Sequence, residues 1–169
     1  MTHEVTITAA GERELVIIRR FDAPRQLVFE AHTVPALMKR WFTGPDGWVL
    51  ATCEIDLRVG GAYRHEWAHA DGRTMGMGGT YQDVDAPARL VATELFDEDW
   101  TGGGTVNTQS FDEVTGGTIL TTNVQCTSAE ARDAMLQSNM EAGIAASYAR
   151  LDALLAGAPI EQAPGPIPA

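Results

Sequence analysis

The stretch RRFDAPRQLVFEAHTVPALMKRWFTGPDGWVLATCEIDLRVGG, residues 19–61, runs from a strand through two short helices into a return strand without a spacer. Glu14-Leu-Val-Ile-Ile-Arg-Arg-Phe21 is β-branched and apolar, as a strand requires. Asp22-Ala-Pro24 stops it, because proline has no N–H for a ladder yet suits the first turn of a helix. Leu27, Val28 and Ala31 then recur at helical spacing over Gln26 to His32, and a second start at Thr33-Val-Pro35 leads into Leu37, Met38 and Trp41. Two short helices therefore replace the usual hairpin after the first strand.

Outward from this stretch the chain reads as antiparallel strands: Trp48 to Asp56, Ala62 to Ala68, Thr74 to Asp85, Leu90 to Phe96, Thr105 to Glu113 and Thr118 to Thr127. Asp71-Gly72 is a hairpin signal, Gly60-Gly61 and Gly116-Gly117 mark tight reversals, and Asp85-Ala-Pro-Ala88 is a loop. Gly102-Gly-Gly104 reads as a flexible connection. The last element is a helix from Ser128 to Ala156, with Thr127 and Glu130 as a capping box and a stripe of Leu136, Met140, Ile144, Tyr148, Leu151 and Leu155. Its roughly 28 residues would span about 42 Å. Gly143 and Ser147 form a small-residue patch suited to close approach of the sheet. Residues 1–11 read as a short polar lead and residues 12–156 as one domain. The Pro-rich 157–169 reads as a flexible tail.

A formal charge of -11 sets the chain against phosphate backbones and anionic surfaces, so nucleic acid is not an expected partner. No apolar run approaches the roughly 20 residues of a membrane span, and Met1-Thr-His-Glu opens no visible signal or transit segment. A cytoplasmic protein is expected. Cys53 and Cys126 lie in strand-like segments and read as buried free thiols.

His65-Glu66-Trp67-Ala68-His69 matches H-E-x-x-H, which on a helix puts two zinc-binding imidazoles on one face. Here the flanking Gly60-Gly61 and Asp71-Gly72 place it on a hairpin strand, where residues four apart are separated by roughly 13 Å. Zinc needs both nitrogens at about 2.0–2.1 Å, so no metal site is expected. No nucleophile elbow, phosphate loop, dinucleotide fingerprint or C-x-x-C occurs, and no cofactor is expected. Glu54, Asp56 and Arg58 alternate on one strand face and read as an ion-pair ladder.

In order along the chain, Arg20-Phe21-Asp22-Ala23-Pro24, Trp41 with Gly44-Pro45-x-Gly47-Trp48, Asp56-x-Arg58-x-Gly60-Gly61 and Arg89-Leu90-Val91-x-Thr93-Glu94 resemble a known group. So do Ser128 to Asp133, Gly143 and Arg150-Leu151. The group is the family related to the activator of Hsp90 ATPase, within the START-like, Bet v 1-like (SRPBCC) superfamily. Stand-alone members of this kind are bacterial. The resemblance implies an α+β helix-grip fold: a curved antiparallel sheet of six or seven strands around a long C-terminal helix, two short helices after strand one, and an apolar cavity between them. The candidate lining residues are Trp41, Phe42, Trp48, Tyr63, His65 and Trp67, then Met75, Met77, Tyr81, Trp100, Met135, Met140 and Tyr148. Aromatic and thioether side chains suit such a role, because Met adapts to irregular shapes and Tyr and Trp join an apolar body to a polar handle. His65, Glu66, Asn107, Gln109, Asn123 and Gln125 are the candidate polar anchors, while the inward-pointing face of each strand stays open at this stage.

Three functions follow from the resemblance and the residues. The first is binding of an apolar or aromatic small molecule, such as a lipid or polyketide-like compound, by a monomer or homodimer. The second is an enzyme of polyketide cyclase or hydratase type in the same cavity, with His65 as the candidate proton carrier. The third is a chaperone partnership, stimulating an Hsp90 ATPase.

Overall fold

A computed structural model describes residues 3–157. Eight strands form one antiparallel sheet in the order β1-β2-β8-β7-β6-β5-β4-β3. They are β1 (Thr6–Ala10), β2 (Glu14–Phe21), β3 (Trp48–Ile55), β4 (Ala62–His69), β5 (Thr74–Asp85), β6 (Arg89–Phe96), β7 (Thr105–Val114) and β8 (Gly117–Gln125). Between β2 and β3 lie α1 (Arg25–Thr33) and α2 (Pro35–Trp41), and α3 (Ala129–Gln137) and α4 (Met140–Leu155) close the chain. The open sheet curves, and register breaks between Leu50 and Thr52 on β3 and between Tyr81 and Asp83 on β5 add local bends. The fold class is the α+β helix-grip architecture that the resemblance implied.

Three features depart from expectation. The sheet has eight strands rather than six or seven, because Thr6–Ala10 within the supposed polar lead pairs with β2, Thr6 opposite Ile18 and Ala10 opposite Glu14. Alternating Thr6, Thr8 and Ala10 with Ile7 is a half-buried edge pattern that a polar reading passes over. Second, the last helix is two helices. Ser138 is extended, and its hydroxyl donates to the Met135 carbonyl at 2.6 Å, taking the acceptor that a continuing helix would offer to Asn139. The break falls at Ser138-Asn139. Third, the cap of α3 is Ser128, whose Oγ accepts from the Ala131 N–H, while Thr127 donates to the Gly102 carbonyl. The Pro-rich stretch lies outside the described residues from 158 on.

The core gathers on the concave face. Leu15, Phe21, Phe111, Leu120 and Leu151 are 1% exposed or less. α1 packs Val28, Phe29, Ala31 and His32 inward and leaves Leu27 exposed. α4 is held at its C-terminal half, where Tyr148 meets the Phe21 ring edge-on at 5.2 Å and Asp152 accepts from buried Arg19 at 3.0 Å. Gly143 and Ser147 admit the loop after α2 rather than the sheet: Ser147 Oγ accepts from the Gly44 N–H, and a Cβ on Gly143 would meet Pro45 at 3.9 Å. No described helix is long and apolar enough to cross a membrane.

Candidate functional site

Strand alternation decides what faces the helices. Tyr63, His65 and Trp67 on β4 point inward and are buried, and Met77 and Tyr81 on β5 join them across the ladder, with His65 opposite Met77. The N-terminal half of α4 does not descend onto these side chains. A cavity of about 610 Å³ remains between them, α2 and the α3–α4 junction. All thirteen residues singled out from the sequence border it. Met75 and Trp100 do so while 41% and 42% exposed, which places them where the cavity opens to solvent. The helix break matters here, because Met135 and Met140 would lie about 140° apart on a straight helix, yet both line the cavity.

Trp100 is positioned by a built loop. The Asp99 carboxylate accepts from the Thr101 and Gly103 N–H groups at 2.9 and 2.6 Å, and the Thr101 hydroxyl accepts from Gly104 at 3.0 Å. Gly102, Gly103 and Gly104 all have positive φ, from 77° to 122°, so the glycine run read as a flexible connection is a specific turn.

The polar anchors divide. His65, Asn107 and Gln109 line the cavity. Glu66 lies on the opposite face of β4 beside Arg64, Asn123 donates to Glu14 at 3.1 Å, and Gln125 borders a cleft on the outer face. Asp56 and Arg58 pair at 2.9 Å on the exposed surface, away from the cavity. His65 and His69 do lie on one strand, as expected, and His69 packs against Trp48 at the hairpin end, 2.9 Å from Asp71.

Sequence reasoning missed Glu94 and His32. Glu94 shares the inner face of β6 with Leu90, Ala92 and Phe96. A lone carboxylate in an otherwise apolar alternation was the available signal. It accepts one hydrogen bond, from Asn107 Nδ2 at 3.0 Å, and desolvation pushes its carboxyl up to about 7 against the lowering effect of Asn107. Beside it the β5–β6 ladder is interrupted: the Thr93 carbonyl takes the Tyr63 hydroxyl at 2.6 Å, and the Thr93 hydroxyl accepts from the Thr80 N–H at 2.9 Å. Burial lowers the imidazoles of His65 and His32 to about 4, so both are neutral at pH 7. His32 Nδ1 lies 2.7 Å from the Val28 carbonyl, which only accepts, so Nδ1 carries the proton and Nε2 is a bare acceptor.

The model of the family described as "Activator of Hsp90 ATPase homolog 1-like protein" matches residues 22–156, and the chain belongs to that family. A solved structure from Rhodobacter sphaeroides is 35% identical, with 91% of this chain and 99% of that one covered and a TM-score of 0.86. A protein from Mycobacterium smegmatis (24% identity, 89% and 97% covered, TM-score 0.75) and one from Arthrobacter aurescens (24%, 90% and 91%, TM-score 0.78) share the fold. No protein with a curated description matches the sequence.

Proposed function

We propose that this family member binds an apolar or aromatic small molecule, of the size of a lipid chain or polyketide-like compound, in the cavity between sheet and α3–α4. The observation that carries the reading is the open space itself: about 610 Å³ bordered by Trp41, Trp67, Tyr81, Met77 and Met140 where a close-packed core would stand. A mostly apolar pocket with few polar groups is the usual form of a small-molecule site. Uptake of the neutral dye Nile red, followed by its emission shift, tests this. Met77→Ala should weaken dye binding at least tenfold while moving the unfolding midpoint little; equal dye response from native and unfolded protein would reject the cavity as a site.

A second reading, proton transfer in the same cavity, is favoured by Glu94, whose proton equilibrium near neutrality suits a general acid or base better than His65 at about 4. Turnover of a bound compound that disappears in Glu94→Gln with binding kept would select it. A chaperone partnership would use the exterior, and stimulation of an Hsp90 ATPase that survives Met77→Ala would select that instead.

A further inference from the structure

Beside Glu94 the hydrogen-bonding inventory of the cavity is lopsided. Four of its donors are already used by the protein: Trp41 Nε1 donates to the Ala31 carbonyl at 2.8 Å, Trp67 Nε1 to Phe42 at 2.9 Å, Tyr63 Oη to Thr93 at 2.6 Å and Asn107 Nδ2 to Glu94 at 3.0 Å. Trp48, Trp100, Gln109 and Asn139 keep donors at other points of the lining, whereas what is left over around Glu94 accepts. Among the described residues, His32 Nε2 and Asn107 Oδ1 are buried without a hydrogen-bond partner, and the Glu94 carboxylate accepts a single bond although it has about four lone-pair sites. The Thr43, Thr122 and Tyr81 hydroxyls and the His65 ring can act either way.

Charge points the same way. Among the described residues, Glu94 is the only Asp or Glu bordering the cavity, and no Lys or Arg borders it. No ion pair among the described residues reaches it; Arg13, which shares an outer-face cleft with part of Glu94, makes none with it. A carboxylate partly taken out of water without a cation is costly, and the cost is relieved by a proton or by a cation that the ligand brings. A primary ammonium brings three donors and no acceptor, which complements the Glu94 carboxylate. The surrounding rings favour a cation as well, and so does the net charge of -11 at longer range.

From this, and resting on the cavity-binding reading above, we infer that the ligand is an amine: an apolar or aromatic body whose ammonium group sits against the Glu94 carboxylate. The other titratable groups lining the cavity stay neutral around pH 7. His32 and His65 are lowered to about 4, Tyr81 and Tyr148 are raised to about 12, and Tyr63 is raised further by burial and by Glu94. Preference for an amine should therefore grow as pH rises through about 7 and Glu94 loses its proton, and shrink below it.

Tryptamine and its alcohol analogue tryptophol share one indole body and differ in the terminal group, so their competition against Nile red isolates the ammonium. At pH 8 tryptamine should displace the dye about tenfold more effectively than tryptophol, as a charge-assisted contact over a neutral one allows. In Glu94→Gln, with each displacement scaled to that variant's own dye affinity, the ratio should fall to about twofold or less. Should that variant fail to fold, calorimetry of the wild-type protein at pH 7 in two buffers of different ionisation heat decides: tryptamine binding should release roughly half a proton and tryptophol none. Dye uptake with equal displacement by both indoles, or an amine preference that persists in Glu94→Gln or ignores pH between 5.5 and 8, would overturn the inference and leave the cavity reading standing. Absence of dye uptake would remove both.

Discussion

At one end of the concave face Phe21, Phe111 and Leu120 are sealed by Phe29 and His32 of α1 and by Tyr148 of α4, whereas on β4 to β6 Tyr63, His65, Met77 and Glu94 border open space. Both ends belong to one sheet and both lie under helices. They differ in what the helices offer. The C-terminal half of α4 presents Ser147, Tyr148 and Leu151, all buried, and is fastened by Asp152 to Arg19. Its N-terminal half begins after a break and presents Met140, Gly143 and Ile144 to the cavity. Filling one end makes the domain stable, and that stability permits the other end to stay empty with unpaired acceptors. The two ends should therefore respond differently to substitution.

The largest effect is expected at the sealed end. Phe111→Ala should cost about 3–5 kcal/mol in urea unfolding, as truncation of a fully buried ring does, whereas Met77→Ala should cost below about 2 kcal/mol because its side chain already borders empty volume. Equal losses would mean that the cavity is filled and the contrast false. Next, Asp152→Ala should cost about 2–4 kcal/mol, somewhat under the range for a wholly buried pair because Asp152 is 24% exposed. It leaves the Arg19 guanidinium buried without its carboxylate, and the same assay reads the loss.

A third test reaches the backbone around Glu94. A Cβ on Gly79 would stand 1.9 Å from the Thr93 carbonyl oxygen, which the Tyr63 hydroxyl holds in place. Gly79→Ala should cost about 1–3 kcal/mol by forcing the strands apart, and a neutral outcome would show that the β5–β6 interruption yields easily. The smallest effect is electrostatic. Glu94 takes up its proton more readily folded, at about 7, than at the ordinary 4.5, so its charge penalises the fold once pH rises through that window. Glu94→Gln should raise the melting temperature relative to wild type by roughly 2–4 °C at pH 8 and by less at pH 5. For His32 and His65 the sign is opposite. Lowered to about 4, they withdraw stability as pH falls from about 6.5 toward that value.

Much of this was readable in the chain. Glu14–Phe21 has the bounds that its β-branched run suggests, and Pro24 and Pro35 place the starts of α1 and α2. The aromatic and thioether side chains that border the cavity could be named from residue type and strand alternation. Harder to see were the groups whose role depends on a neighbour distant in sequence. Glu94 stood in the sequence only as the end of the Arg89–Glu94 motif until Asn107 and the inner face of β6 met it, and Asn123 looked equivalent to Asn107 until register put it on the outer face beside Glu14. The helix break was hidden because the stripe from Leu136 to Leu155 continues across Ser138, and only the competing hydroxyl bond shows where the backbone leaves it.

Local sequence determined the strands, the two short helices and the apolar character of the concave face, because periodicity, proline and turn glycines act over a few residues. Only the tertiary structure decided that one end of that face is filled and the other is not. Packing is a relation between elements far apart in the chain, and whether α4 descends onto β4 to β6 depends on Arg19, Ser138 and Gly44 together.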